Sequence, residues 1–430
     1  MPKSYAVRTV VFRSGERFPV LIERETGIPL FGPAVFSLTR LRARNLASAT
    51  IEQAARALMV LHVFLDKADV DLVGQRLAEG LLLTSGEIEE LCRFCRKPLS
   101  SQSEVGCETT NQRTALHVHS LSSDIRRPTT LAEPMELSQG TAAIRLGYIR
   151  DYLDWLVTTK LLELPAKHPT REALQSSAAA VRKALQERLP GRIARNQVGR
   201  REGLSPEAKG CLQELIEGTG ESSPWRSAHA RQRNTLMIFW FLKLGIRRGE
   251  LLGVRISDID FQANEVLIRR RADDDKDPRR HQPNAKTLDR VLPLHSYLAK
   301  QTHEYILGLR RGQRGASRHD FLFVANGSGA PLTIPALNQA FGALRRAAPE
   351  HLSQLTPHVL RHTYNDEFTE IMDRERVPEA TEQKMRSYVM GWSAHSGTAA
   401  IYTRRHVREA ARRASLDLQA RQLRGKDDRS

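Results

Sequence analysis

Apolar residues recur at helical spacing through most of this chain, and only short stretches alternate as β-strands do. The segments SATIEQAARALMVLHVFLDKADV, TAAIRLGYIRDYLDWLVTTKL and NTLMIFWFLKLG predict helices. Two pairs of short apolar stretches predict hairpins, AVRTVVF with RFPVLIE around a Ser14-Gly15 turn and EVLIRRR with RVLPL around a polar loop. The chain should therefore be mainly α with a small antiparallel β-sheet, an α+β fold.

Breaks in the helical pattern divide the chain, whose 430 residues suffice for two or three domains. The stretch QERLPGRIARNQVGRREGL, rich in arginine and interrupted by Pro and Gly, is typical of a linker. We predict four segments: an N-terminal hairpin or arm (1–45), a helical domain (46–185), a basic linker (186–204) and a second, mainly helical domain (205–430). The hairpin is an arm, a dimer edge or part of the next domain, and the sequence leaves these alternatives open.

The charge balance favours an anionic partner. Lys and Arg number 66 against 49 Asp and Glu, which gives a net charge of +17. A surplus of this size attracts polyanions, because each neutralised phosphate of a nucleic acid releases a condensed counterion. The alternative is a basic soluble protein with scattered charge.

Membrane and secreted classes are disfavoured. No apolar run resembles a membrane span, and residues 1–30 lack the apolar core of a signal peptide. We therefore expect a cytoplasmic protein with no membrane partner. The four cysteines do not predict a disulfide framework in a chain of this length.

A group of cysteines and histidines lies between the first two predicted helices. Cys92 and Cys95 form a CxxC, and Cys107, His117 and His119 follow. These residues could supply the four ligands of a zinc site. The second half of the pattern matches no common finger spacing, so we favour incidental cysteines at a helix end and predict no metal.

Three short motifs carry chemistry. GIRRGELL holds Arg247 and Glu250, TPHVLRHTY holds His358 and Arg361, and MGWSAHSGTAAIYTRR holds Tyr402. Two guanidinium groups can grip a phosphate through paired hydrogen bonds, and a tyrosine can attack it. Singly, each motif is typical of surface or packed residues; together, on a basic chain, they predict DNA strand breakage and rejoining through a phosphotyrosine, without a cofactor.

These motifs resemble the boxes of the tyrosine recombinase (phage integrase) family. GIRRGELLGVRISDID is similar to the family's first arginine box, PHVLRHT to its His-x-x-Arg box and MGWSAHSGTAAIY to its last box. The resemblance covers about residues 205–415 well, and it extends loosely to the helices of 45–165. It implies a helical core-binding domain that binds DNA, followed by a catalytic domain.

The resemblance also implies roles for single residues. Arg247 and Arg361 would clamp the scissile phosphate, and Glu250 would support them. His358 would assist proton transfer from the nucleophile Tyr402, which would form a 3′-phosphotyrosine.

A lysine on a β-hairpin donates a proton to the leaving 5′ oxygen in this family. Lys286, just before the second strand of the polar hairpin, fits that place better than Lys276, which lies among aspartates that could pair with it.

One position departs from the family's usual Gly-His. This chain has Trp392 after Gly391, and an indole N–H can donate a hydrogen bond to a phosphate but cannot carry a proton. His395 lies one turn away and is a weaker substitute. Tyr388 precedes the box and Tyr364 is expected to pack, so neither rivals Tyr402 as the nucleophile.

The sequence therefore predicts a site-specific DNA recombinase or integrase of a mobile genetic element. Its partners would be double-stranded DNA, three further copies in a homotetramer on two DNA sites, and accessory DNA-bending proteins. The alternatives are a tyrosine-class topoisomerase and a non-catalytic DNA-binding protein of the same fold. In the linker, four arginines are candidates to follow the DNA backbone: Arg192, Arg195, Arg200 and Arg201.

Overall fold

The computed structural model describes residues 4–98, 136–189, 203–218, 223–283, 287–393 and Ser415. The chain divides into two units, residues 1–195 and 196–430, and each has its own apolar core. The prediction of a mainly helical chain with small antiparallel sheets is confirmed for the described residues.

The N-terminal hairpin packs into the core of the first unit. Strand β1 (Tyr5–Val11) pairs antiparallel with β2 (Arg17–Glu23), and β2 lies against the first long helix. The side chains of Tyr5, Phe18 and Leu21 are buried in that core. The packing therefore favours the alternative in which the hairpin is part of the helical domain.

The helices of the first unit bury the predicted apolar faces. They are α1 (Phe31–Phe36), α2 (Ser48–Lys67), α3 (Ser85–Cys95), α4 (Gln139–Glu163) and α5 (Thr170–Arg188). Helix α2 packs between the hairpin and α4, and Leu58 and Leu61 are fully buried there. Helix α5 ends at Arg188, a few residues past the predicted end of the helical domain.

Cys92 and Cys95 lie on α3 and face the apolar core. Burial raises the pKa of the Cys95 thiol to about 12 and also raises the pKa of Cys92. The raised pKa keeps both thiols protonated, so the two cysteines pack as apolar core side chains. Cys107, His117 and His119 lie outside the described residues.

The second unit combines helices with a small sheet. Its helices are α6 (Pro206–Glu217), α7 (Ala228–Leu244), α8 (Arg248–Gly253), α9 (Ser296–Tyr305), α10 (Ile334–Ala347), α11 (Pro349–Leu352), α12 (Pro357–Arg374) and α13 (Glu379–Met390). The sheet is antiparallel, in the order β3 (Ile259–Asp260), β4 (Glu265–Ile268), β5 (Arg290–Pro293).

Helix α7 lies in the core of this unit because its C-terminal half, LMIFWFLKL, is apolar on nearly every side. Trp240 and Phe241 are fully buried, and α12 packs along the helix. The helix ends at Gly245, which has a φ of +58°. A Cβ at this position would lie 2.5 Å from Cδ1 of Tyr364. Glycine thus permits both the left-handed turn and the close packing of α12 against it.

A fully buried ion pair within α13 is linked to α12 by hydrogen bonds. Arg386 pairs with Glu382 on α13 and donates hydrogen bonds to the backbone oxygen of Asn365 at 3.0 Å and to Oγ1 of Thr369 at 2.9 Å. Its guanidinium also lies 4.8 Å from the ring centroid of Phe368. Both terminal nitrogens of the guanidinium are therefore bound by residues of α12 and α13.

Arg386→Leu should destabilise the second unit by about 3–5 kcal/mol, because it leaves the Glu382 carboxylate buried without its partner. Replacing Glu382 by Gln in the same chain should recover part of the loss. The midpoint of urea unfolding measures both effects. As a control, Lys300→Ala breaks an exposed i,i+4 pair with Glu304 and should change stability by less than about 0.5 kcal/mol. Equal effects of Arg386→Leu and Lys300→Ala would contradict the prediction.

Within the described ranges, none of the helices is both long and apolar enough to cross a membrane.

Candidate active site

Arg247 lies in the turn between α7 and α8. The carboxylate of Glu250, in the first turn of α8, accepts a hydrogen bond from the backbone N–H of Arg247 at 2.9 Å. The same carboxylate lies 3.5 Å from the Arg247 guanidinium. This local contact orients the arginine at the start of the helix, where its side chain is one-third exposed (33%).

Arg361 approaches the same turn from α12. Its side chain is almost wholly buried (3% exposed) and donates to the carbonyl of Gly245. The carbonyl of Met390, at the end of α13, receives hydrogen bonds from both arginines: from Nη2 of Arg361 at 3.2 Å and from Nη1 of Arg247 at 3.4 Å. Two arginines far apart in the sequence therefore converge on one backbone oxygen.

Trp392 follows this meeting point directly. The Arg361 guanidinium lies 5.6 Å from the centroid of the Trp392 ring, a cation–π distance. Trp392 is buried with Met390, and Tyr364 packs against both. Burial raises the pKa of Tyr364, so its hydroxyl is held protonated within the packing, in line with the expectation that it packs.

His358 is exposed in the first turn of α12, one helical turn before Arg361. The helix begins at Pro357 after a Thr356 cap, whose hydroxyl accepts from the N–H of Val359 at 3.2 Å. The His358 ring stands edge-on to that of His362, with centroids 4.4 Å apart. The cap thus fixes the start of the helix, and with it the His-x-x-Arg face.

Sequence reasoning missed the main partner of Glu250. We expected its carboxylate to support Arg247, but the shorter ion pair is with Arg290, the first residue of β5, at 2.9 Å. The hydroxyl of Thr287 donates to the same carboxylate. Arg290 starts an apolar strand, where an arginine usually indicates an exposed edge, so only the three-dimensional contact identifies it.

Glu250 is held ionised by this network. Burial alone would raise the pKa of the carboxyl group, but the charge of Arg290 and the hydrogen bonds from Arg290, Thr287 and the Arg247 N–H outweigh it and lower the pKa. The first turn of α8 therefore contains a buried negative charge at neutral pH.

Glu250→Gln should destabilise the second unit by about 3–5 kcal/mol at neutral pH, because it leaves the Arg290 cation buried without a counter-charge. Since the folded pKa of Glu250 is depressed, the advantage of the wild type is complete above the ordinary carboxyl pKa of about 4.3 and is lost as the pH falls through the lowered value. Urea unfolding from about pH 3 to about pH 8 measures this difference.

Glu265→Gln is the matched control, because Glu265 is an exposed glutamate on β4, the strand that pairs with the strand of Arg290. It should change stability by less than about 0.5 kcal/mol at every pH. An effect of Glu250→Gln that does not vary with pH would contradict the account.

Several sequence-predicted residues lie outside the described residues: Tyr402, Lys286, His395, Arg192, Arg195, Arg200 and Arg201. Lys276, the runner-up lysine, is exposed on the loop between β4 and β5. That loop is anchored by a buried pair of Arg279 with Asp277 (2.7 Å) and a partly buried pair of Arg271 with Asp258 (2.5 Å). In the part of the chain that the structure describes, no cluster of three or more His, Cys, Asp or Glu side chains is arranged to hold a metal ion.

The sequence of the second unit matches a known family over the residues that contain this site. Residues 220–409 fit the sequence model of the Phage integrase family. The second unit belongs to the phage integrase family. The matched range of this integrase-family unit includes the positions of Arg247, Glu250, His358, Arg361 and Tyr402.

Solved structures similar to the chain include integrases and recombinases. The Tn1549 transposon integrase in complex with circular intermediate DNA is 18% identical, with 62% of this chain and 75% of that chain covered and a TM-score of 0.39. The XerH recombinase bound to its difH substrate in a pre-cleavage complex is 14% identical, with 84% and 96% covered and a TM-score of 0.37. The integrase of mycobacterium phage Brujita is 12% identical, with 84% of each chain covered and a TM-score of 0.29. No curated protein matches the sequence significantly.

Proposed function

We propose that this protein is a site-specific DNA recombinase or integrase that cuts and rejoins strands through a 3′-phosphotyrosine at Tyr402. The observation that carries the proposal is the convergence of Arg247 and Arg361 on the Met390 carbonyl, beside Trp392. Membership of the second unit in the phage integrase family supports it.

The two arginines stabilise the transition state. Negative charge grows on the non-bridging oxygens of the phosphate during attack, and fixed cationic donors favour that charge most. A guanidinium carries five N–H donors in a planar fork. An arginine that holds a backbone carbonyl can therefore hold a phosphate oxygen as well, and the buried Arg361 is already fixed in place.

In the remaining steps, the energy of the DNA phosphodiester bond is kept in a phosphotyrosine bond. The Tyr402 oxygen attacks phosphorus, with His358 assisting removal of its proton. The bond to the 5′ oxygen breaks, and Lys286 gives that oxygen a proton. Trp392 donates its indole N–H to a phosphate oxygen. The phosphotyrosine bond is then attacked by a 5′ hydroxyl of another strand, which releases Tyr402 and reseals the DNA.

DNA binding extends beyond the scissile phosphate in this proposal. The helical first unit would bind the duplex, the linker arginines would follow its backbone, and four copies would assemble on two sites, with DNA-bending proteins as accessory partners. The net charge of +17 supports a phosphate-backbone contact of this extent.

Covalent capture of DNA tests the proposal. The protein is incubated with a library of nicked duplexes of random sequence, so that the short cleaved fragment diffuses away and the adduct is trapped. DNA that stays attached in detergent is sequenced to recover the site. Recovery of one sequence supports a site-specific recombinase. Relaxation of supercoiled plasmids that lack this sequence would indicate a topoisomerase, and binding without any adduct would indicate a non-catalytic DNA-binding protein.

A further inference from the structure

Arg290 joins three segments of the active site. Its side chain is almost completely enclosed (1% exposed). Nη2 donates to Glu250 at 2.9 Å, Nε donates to the carbonyl of Val389 at 2.6 Å, and Nη1 donates to the Thr287 hydroxyl at 3.3 Å. One guanidinium therefore connects α8, the end of α13 and the chain that enters β5.

Two of these contacts lead to the arginines of the site. Glu250 holds the backbone of Arg247 at 2.9 Å and lies against its guanidinium. Val389 immediately precedes Met390, whose carbonyl accepts hydrogen bonds from the guanidinium groups of Arg247 and Arg361. Arg290 thus fixes the anchor of Arg247 and the backbone oxygen at which the two arginines meet.

The backbone around Arg290 leaves little room for movement. Gly391 has a φ of +64°, and a Cβ at this position would lie 2.6 Å from Nη1 of Arg290. The N–H of Leu288 donates to the Gly391 carbonyl at 3.1 Å, so the chain before β5 is tied to the same turn. The glycine lets the turn close over the guanidinium, and the guanidinium fills the space below it.

We propose that Arg290 is a positioning residue for the phosphate clamp, acting through Glu250 and the Val389–Met390 backbone. It does not reach the phosphate itself. The inference rests on the proposed function, because it assigns Arg290 to the same strand-cleavage reaction. The lowered pKa of Glu250 supports it, since the carboxylate that orients Arg247 owes its ionisation chiefly to Arg290.

A DNA substrate with an uncharged linkage at the scissile position distinguishes a loss of clamp positioning from a general loss of structure. In a methylphosphonate, a methyl group replaces one non-bridging oxygen and removes the charge that the arginines stabilise. Single-turnover cleavage is measured with the captured DNA site carrying either a phosphate or a methylphosphonate at the scissile position. Arg290→Met should slow cleavage of the phosphate about 100-fold and cleavage of the methylphosphonate less than about fivefold.

Two further variants keep the test decisive. Arg290→Lys retains the charge but lacks the fork, and should slow phosphate cleavage about tenfold and leave methylphosphonate cleavage nearly unchanged. If the Arg290→Met variant does not fold, the Arg290→Lys variant is used in its place. Arg310→Met is the matched control, because Arg310 is a buried arginine that donates to the carbonyls of Phe321, Ala316 and His319. It should slow both substrates by the same factor.

The outcomes are distinguishable. If a folded Arg290 variant slows both substrates equally, Arg290 is merely structural and the inference is overturned, whereas the proposed function stands. If the wild type cleaves neither substrate, the proposed function itself fails.

Discussion

A chain that carries Tyr402→Phe should form no covalent complex with DNA. The substitution removes the hydroxyl that attacks phosphorus and leaves the arginines of the clamp in place. No other group in the proposed mechanism can store the phosphodiester bond energy. We expect the rate of adduct formation on a nicked duplex to fall by at least about 10⁴-fold, and DNA affinity in a gel-shift assay to change by less than about twofold.

Tyr388→Phe is the matched control for this variant. Tyr388 lies in the same stretch of sequence, but it is exposed and its hydroxyl donates to the carbonyl of Val291 at 3.4 Å. Its loss should leave adduct formation within about twofold of the wild type. An adduct that persists in Tyr402→Phe and disappears in Tyr388→Phe would move the nucleophile to Tyr388.

Arg247→Ala should slow strand cleavage by about 10²–10³-fold, which is the usual effect of removing one preorganised donor from a transition state. Arg247→Lys should be nearly as slow, because a single ammonium cannot reproduce the planar fork that spans two oxygens. Single-turnover rates measured with protein in excess report the chemical step without the effect of weaker binding. The stability of the second unit should change by less than about 1 kcal/mol, since the Arg247 side chain is partly exposed.

The neighbouring Arg248 provides the control for Arg247. It is exposed at the first position of α8, so Arg248→Ala should leave the single-turnover rate within about threefold of the wild type. Arg361→Ala should differ from both, because Arg361 also holds the carbonyls of Gly245 and Met390. It should lower stability as well as the rate. Equal rates for Arg247→Ala and Arg248→Ala would contradict the clamp.

Local signals in the sequence mark where helices of the candidate site begin and end. Ser205-Pro206 and Thr356-Pro357 each combine a capping hydroxyl with a proline in the first turn, and both start helices in the structure. Gly245 ends α7 as predicted. These features depend on a few neighbouring residues, which a single sequence contains.

Contacts between distant segments could not be predicted from the sequence. Arg290 and Glu250 lie 40 residues apart, and neither carries a local sign that the other is its partner. The convergence of the two arginines on the Met390 carbonyl involves a backbone oxygen, which no residue type specifies. The N-terminal hairpin was ambiguous for the same reason, because alternating apolar residues indicate a buried face but not the helix that covers it.

The identity of the residue that becomes joined to DNA tests the central claim most directly. The trapped adduct is digested with nuclease and trypsin, and the peptide from Ser387 to Arg404, which contains both Tyr388 and Tyr402, is fragmented in a mass spectrometer. We expect a nucleotide linked through its 3′ phosphate to Tyr402. A nucleotide on any other residue, or a 5′ linkage, would contradict it.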